Sequence, residues 1–359
     1  MKTYKIAVLP GDGIGKEVME EGIKVLEAYS SGFKLSFTEY QAGAGSYLER
    51  GEALPKETLE ACRSSQAIFL GAMGLPHVRN EVTGEEIGNK AVLHLRFLLD
   101  LYAGIRPVKL YSGINSVLKT KESIDYIIVR ENTEGLYSSY GNGIILRDEV
   151  ATDIQLITRS ATERIMDYAF KLASKRSGSV KDGISRVTCV DKSNVLRSNA
   201  FWRKIYDEKA EKYPNITRDY AYIDAMVLYM VQKPSYYDVI VADNMFGDII
   251  SDLGSGTVGG MGLAPSADIG DDNGIFQPAH GSAPDISGQG IANPLAQILS
   301  GKMMLEWLGK KYNDHSLEVS ANRIEKSVQD FLNSGEYLPK DLGGNAKTKE
   351  IGNMIAANR

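Results

Sequence analysis

The sequence predicts an α/β fold, and three observations carry that prediction. Apolar runs of strand length alternate with longer stretches of helical periodicity along the whole chain. The strand-like runs, such as Tyr237-Asp238-Val239-Ile240-Val241-Ala242, are nearly continuous in apolar residues, as strands buried on both faces are. Tight glycine turns join strand to helix, beginning with Pro10-Gly11-Asp12-Gly13-Ile14-Gly15. A chain of 359 residues is long enough for two domains or one large one, and the alternation asks for a largely parallel or mixed sheet.

Composition narrows the class. Lysine and arginine number 41 against 46 aspartate and glutamate, a net charge of −5 with no block of like charge, which argues against a nucleic-acid or membrane surface. Cys62 and Cys189 are the only cysteines and lie far apart, so neither a disulfide framework nor a zinc site is indicated. Cys189 sits inside Val187-Thr188-Cys189-Val190 and reads as a buried thiol. No apolar run is long enough to span a bilayer, and no signal-peptide core precedes the first strand. The expectation is a soluble, cytoplasmic protein.

Taken in order, Tyr4 to Pro10 reads as the first strand. The turn after it is not the dinucleotide fingerprint, because Lys16 stands where GxGxxG needs its last glycine. Val18, Gly22, Val25, Leu26 and Tyr29 then recur at helical spacing. Phe33 to Tyr40 alternates as a strand, helical segments follow at 43–50 and 55–64, and Gln66 to Gly71 is a third strand. A polar, glycine-rich loop spans 72–89, and Ala91 to Leu101 reads as a helix. An apolar stretch at 103–108 precedes a strand at 124–129, then come a turn and strand extension over 141–157, a helix at 159–175 and a strand at 185–190. Helix 195–212, strand 216–223 and helix 224–232 follow, then the strand ending at Ala242. Later come helices at 294–309 and, as the last one, 316–333.

The chain is organised around Asn244 to Asp252. Two turns of helix are expected between the strand before it and the glycine-rich run 254–260. Asp248 and Asp252 are four apart, so their carboxylates share one helix face. Two readings fit: a solvated acidic face, or a site for a hard divalent cation such as Mg²⁺ or Mn²⁺, which prefers carboxylate oxygen. The position at a strand-to-helix junction, where α/β folds bind ligands, favours the cation. Arg96, Arg106 and Arg130 each lie in or beside an apolar stretch, where an unpaired charge is costly. Each can pair with a structural carboxylate; together they suit a substrate bearing two carboxylates. The loops Pro278 to Gly288 and Gly290 to Pro294 are rich in small residues, which fits plain turns or close approach to a flat ligand.

These stretches together resemble the isocitrate/isopropylmalate dehydrogenase family of β-decarboxylating dehydrogenases. The match runs from Leu9-Pro10-Gly11-Asp12-Gly13-Ile14-Gly15 to Asp341-Leu342-Gly343-Gly344. Between them it takes in Leu95-Arg96, Ile105-Arg106-Pro107, Val129 to Tyr137, Val190 to Val195, Tyr222 to Met226, Asn244 to Asp252 and His280 to Asp285. The resemblance implies a two-domain isopropylmalate-dehydrogenase-like α/β fold with a mixed sheet, distinct from the Rossmann fold. One domain, 1–101 plus 255–359, would carry the cofactor. The other, 102–254, would hold substrate and metal and dimerise, with an arm near 135–157. The expected assembly is a homodimer or dimer-based oligomer with shared active sites, in which Lys192 and Asp224 serve the partner's site.

The resemblance also implies roles. Asp248, Asp252 and the partner's Asp224 would hold Mg²⁺ or Mn²⁺ against the substrate C2 oxygen, favouring alkoxide and then enolate. Lys192 would accept the C2 hydroxyl proton, which asks for a lowered lysine pKa, and Tyr137 would protonate C3 after CO₂ leaves. Arg96, Arg106 and Arg130 would bind the malate carboxylates. His280, Gly281, Ser282, Ala283, Pro284, Asp285, Ile286, Ala292, Asn293 and Asp341 would line the cofactor. An acidic residue at 285 repels a 2′-phosphate, so Asp285-Ile286 argues for NAD.

Substrate choice in this family is read before Arg96. Val92 and Leu93 suit an alkyl substituent, as in 3-isopropylmalate, or a small one, as in D-malate or tartrate. Lys90 either faces solvent or binds a third carboxylate, as in homoisocitrate or isocitrate; His94 reads as structural. Gln277 and Asn89 replace glutamates common in relatives. The first expectation is therefore 3-isopropylmalate. A catalytically silent regulatory subunit of a heteromeric isocitrate dehydrogenase is the non-enzyme alternative, and the intact Lys192, Tyr137 and three aspartates argue against it.

Overall fold

A computed structural model describes residues 1–81, 84–120 and 122–359, with nothing described of the Asn89 side chain. The chain forms two compact units. The first comprises Met1–Leu101, Tyr111–Asn115 and Gly259–Arg359, the second Tyr102–Leu110 and Ser116–Val258.

The first unit begins with β1 (Lys2–Leu9), α1 (Gly15–Ala28), β2 (Phe33–Glu39), α2 (Ala44–Arg50), α3 (Lys56–Ser64), β3 (Ala67–Leu70) and α4 (Ile87–Leu98). The tetrad Ala67-Ile68-Phe69-Leu70 is wholly buried, as its unbroken apolar run requires. The helix expected from Ala91 starts at Ile87 instead, because Ile87 is itself buried and joins the core with Ala91 and Leu95.

The second unit contains β4 (Ala103–Lys109), β5 (Asp125–Glu131), β6 (Ile144–Leu146), β7 (Val150–Thr152), α5 (Arg159–Ala173), β8 (Arg186–Asp191), α6 (Arg197–Ala210), β9 (Thr217–Tyr222), α7 (Ile223–Gln232), β10 (Val239–Ala242) and α8 (Asn244–Thr257). Its main strands run in the order β4-β5-β10-β8-β9. β4 is antiparallel to β5 and the rest are parallel. β6 and β7 form a separate antiparallel hairpin with Ile144, Ile145 and Leu146 exposed.

The chain then returns to the first unit with β11 (Pro265–Ile269), β12 (Gly274–Pro278), α9 (Leu295–Tyr312), α10 (His315–Ser334) and α11 (Thr348–Ala357). Strand order there is β2-β1-β3-β12-β11, parallel except for the β11–β12 hairpin. Each unit is therefore a mixed sheet with helices, an α/β architecture.

Three expectations change. α8 does not stop after two turns; it runs for 14 residues through Gly254 and Gly256. Its glycines serve packing: a Cβ on Gly254 would lie 2.8 Å from Val108 Cγ2, and one on Gly247 would lie 2.8 Å from Arg130 Cβ. Positive φ comes only after the helix, at Gly259 and Gly260. A boundary at 254/255 would therefore cut a helix, and the second unit extends to Val258. The helix ending at Ser334 is not the last, since α11 buries Thr348, Ile351, Gly352 and Ile355. The β11–β12 hairpin escaped notice because buried polar residues, Asp268 and Gln277, interrupt its apolar pattern. Cys62 and Cys189 are free, buried thiols, and burial pushes the Cys189 thiol well above its ordinary range. No described helix is long and apolar enough to cross a membrane.

Candidate active site

In the second unit, β10 delivers the chain to α8 through Asp243, whose carboxylate accepts the Phe246 N–H at 3.0 Å and caps the helix. The cap fixes the first turn, and with it the direction of Asn244 and Asp248. Arg130, at the end of β5, is 2% exposed. Its Nε and Nη2 donate to Asn244 Oδ1 at 3.1 and 2.7 Å, and its Nη1 pairs with the Asp248 carboxylate. Asn244 in turn donates to the Glu134 carbonyl at 2.9 Å. The Tyr137 hydroxyl donates to Asp248 Oδ2 at 3.1 Å, and the Arg130 guanidinium lies 5.4 Å from the Tyr137 ring centre.

One turn on, Asp252 shares the face of Asp248. Partial burial and then the Asp248 charge push its carboxyl above the usual range, while Arg106 and Arg130 pull it back. Arg106 projects from β4, is 6% exposed, and its Nε has no hydrogen-bond partner. Among the described residues no carboxylate forms an ion pair with it. The structure therefore brings Arg106, Arg130, Tyr137, Asp248 and Asp252 into one neighbourhood of the second unit. Hard oxygen donors on one face fit Mg²⁺ or Mn²⁺. Yet among the described residues no group of three or more His, Cys, Asp or Glu side chains could hold a metal ion.

Lys192 follows β8 and pairs with Asp224 at the start of α7. That hydrogen bond is the main cause holding the Asp224 carboxyl below its ordinary range. The Asp224 side chain is 67% exposed and the Lys192 side chain 27%.

In the first unit, Arg96 on α4 donates through Nε to Asp268 on β11 at 3.0 Å, and Gln277 on β12 donates to the same oxygen at 2.9 Å. The ion pair satisfies one edge of the guanidinium. Val92 packs against the core, Leu93 is half-buried and Lys90 is exposed. Burial and then Lys90 lower the pKa of His94. The loop 279–294 joins β12 to α9. Asp285 is exposed, Ser282, Ala292 and Asn293 are buried, and Asn293 donates to Asp341 at 3.1 Å. His280 has its pKa lowered chiefly by burial, and its Nε2 is unpartnered.

A family model for isocitrate/isopropylmalate dehydrogenase matches residues 5–355. The chain belongs to the isocitrate/isopropylmalate dehydrogenase family. Membership makes it a β-decarboxylating dehydrogenase of the isopropylmalate dehydrogenase type. It is 45% identical over 354 residues, 98% of each chain, to the 3-isopropylmalate/3-methylmalate dehydrogenase of Methanocaldococcus jannaschii. It is 43% identical, again over 98% of each chain, to the 3-isopropylmalate dehydrogenase of Archaeoglobus fulgidus. Among crystal structures, an isocitrate dehydrogenase from Methylococcus capsulatus superposes with a TM-score of 0.87 at 35% identity, covering 99% of both chains. A β-decarboxylating dehydrogenase from Thermococcus kodakarensis, in its apo form, gives 0.78 at 36% identity over 99% of this chain and 96% of that one.

For this member of the family, sequence reasoning missed Asn244, which takes two of the Arg130 donors, and Asp268, which takes Arg96. The signal available was the need of any buried guanidinium for acceptors; nothing in the sequence says which acceptors.

Proposed function

We propose that the chain oxidatively decarboxylates 3-isopropylmalate, using NAD and Mg²⁺ or Mn²⁺. The observation that carries this reading is Arg106: a buried guanidinium with an unpartnered Nε, close enough to Asp252 to pull on its titration. Such a group asks for an external carboxylate beside the aspartate face. Arg130, already held by Asn244 and Asp248, offers a second fixed cation, and the family match assigns Arg96 to the substrate carboxylates as well. The family match assigns Val92 and Leu93 to the alkyl substituent, and their half-burial and the exposure of Lys90 agree with that assignment.

Asp248 and Asp252 would hold the cation together with Asp224 from a second copy of the chain. The cation, when bound, stabilises negative charge developing on the C2 oxygen. Lys192, also from the second copy, takes the C2 hydroxyl proton. Tyr137, its hydroxyl on Asp248, would return a proton at C3. The exposed Asp285 excludes a 2′-phosphate and selects NAD, which accepts the hydride. The exposed apolar hairpin of Ile144, Ile145 and Leu146 supports a homodimer in which each copy completes the other's site.

Incubation with 3-isopropylmalate, NAD and Mn²⁺ should yield NADH and CO₂ in equal amounts. Lys192→Met should abolish both while leaving the oligomer intact. NADH formation at a near-normal rate in that variant would remove Lys192 from the mechanism.

A further inference from the structure

The glycine turn after β1 is not a phosphate loop, and the structure shows what it does instead. Its backbone moulds two neighbouring loops. The Ile14 N–H donates to the Ser282 carbonyl at 2.8 Å, and a Cβ on Gly13 would lie 2.0 Å from that same oxygen. The Asp12 carboxylate accepts the N–H groups of Ala44, Gly45 and Gly74, each at 2.8 Å. In the first turn of α1, Glu17 reaches the other end of the loop: one carboxylate oxygen accepts the Gly288 N–H and the other accepts the Gly290 N–H at 3.1 Å. Between these anchors Ala283 and Ile286 pack on Ile14 and Val18. Ala283 is held at φ +37°, a left-handed conformation that a non-glycine residue keeps only when its surroundings impose it. Asp285 lies two residues beyond.

We propose that Glu17 is a positioning residue for cofactor selection, pinning Gly288 and Gly290 so that the loop presents Asp285 in one fixed place. Discrimination against a 2′-phosphate needs a carboxylate that cannot retreat. Asp285 stands in solvent in a turn held locally by the Gln289 Nε2 bond to its carbonyl at 2.9 Å and the Ile286 N–H bond to the Ala283 carbonyl at 3.1 Å, and the placing of that turn depends on the anchors at the two ends of the loop. The inference rests on the reading that Asp285 faces the adenosine ribose.

The test measures kcat and KM with NAD and with NADP for wild type, Glu17→Ala, Glu17→Gln and Asp285→Lys. Glu17→Ala should raise KM for NAD by roughly tenfold, as expected if the freed loop holds Asp285 in its fixed place about a tenth of the time. It should lower the preference for NAD over NADP, with kcat at saturating NAD and KM for the hydroxy acid unchanged. Glu17→Gln, nearly isosteric and keeping one acceptor, should fall between, and it carries the test if the alanine variant does not fold. An unchanged cofactor preference in a folded Glu17 variant, or an equal rise in both KM values with a fall in kcat, overturns the inference. If Asp285→Lys leaves the preference unchanged, the ribose reading itself fails and the inference with it. If Asp285→Lys shifts the preference and Glu17→Ala does not, only the role of Glu17 fails.

Discussion

The Arg130 guanidinium and the Asp248 carboxylate form an ion pair in which the arginine is almost wholly buried and the carboxylate is 35% exposed. The arginine is thereby fixed, while the carboxylate stays partly exposed, where the proposed cation would bind. Asp248→Asn removes half of the pair. It should lower turnover on the order of 100-fold and shift the Mn²⁺ dependence to higher concentration. It should also cost about 1–3 kcal/mol of stability, because Arg130 loses a charged acceptor. Activity against Mn²⁺ concentration checks this, and an unchanged midpoint would detach Asp248 from the metal.

Arg106 makes the opposite prediction for stability. Its Nε is buried without a partner, so replacing it by a similarly long apolar side chain removes an unsatisfied donor. Arg106→Met should leave the melting temperature unchanged or higher. The same variant should raise KM for the hydroxy acid on the order of 100-fold, since it deletes a charge-assisted contact worth about 1.5–3 kcal/mol. Melting and steady-state kinetics on the same sample separate the two effects.

Asp243 carries a pH dependence. Burial raises its carboxyl from 3.8 to about 6, against hydrogen bonds led by the Phe246 N–H. The folded state therefore holds this proton more tightly than the unfolded chain. The stability gained is full below the ordinary value of 3.8 and is lost as pH rises through about 6. Asparagine at 243 keeps the helix cap but cannot titrate. Asp243→Asn should fold with a flatter stability profile between about pH 4 and 6, the range those two values define. Denaturant titrations at a series of pH values check it; a profile identical to wild type would mean the Asp243 carboxyl is not perturbed.

Much of this site was legible in the sequence because the relevant geometry is local. Asp248 and Asp252 share a face through helix periodicity alone, and Arg106 and Arg130 betrayed themselves by charge within apolar strands. What stayed hidden is tertiary. Arg130 finds Asn244 across 114 residues, Arg96 finds Asp268 across 172, and Glu17 holds Gly288 across 271. No periodicity encodes such pairs. The glycines of α8 misled for a related reason: Gly247 and Gly254 are required by neighbouring strands, not by a turn, and only the packed structure distinguishes the two uses.

Specificity constants for NADH formation with Mn²⁺ test the account most directly, measured across 3-isopropylmalate, D-malate, tartrate, homoisocitrate and isocitrate. The account predicts that 3-isopropylmalate leads, with Val92 and Leu93 against its alkyl group and Lys90 in solvent. A lead for homoisocitrate or isocitrate would contradict it, since a third carboxylate would then need a cation such as Lys90.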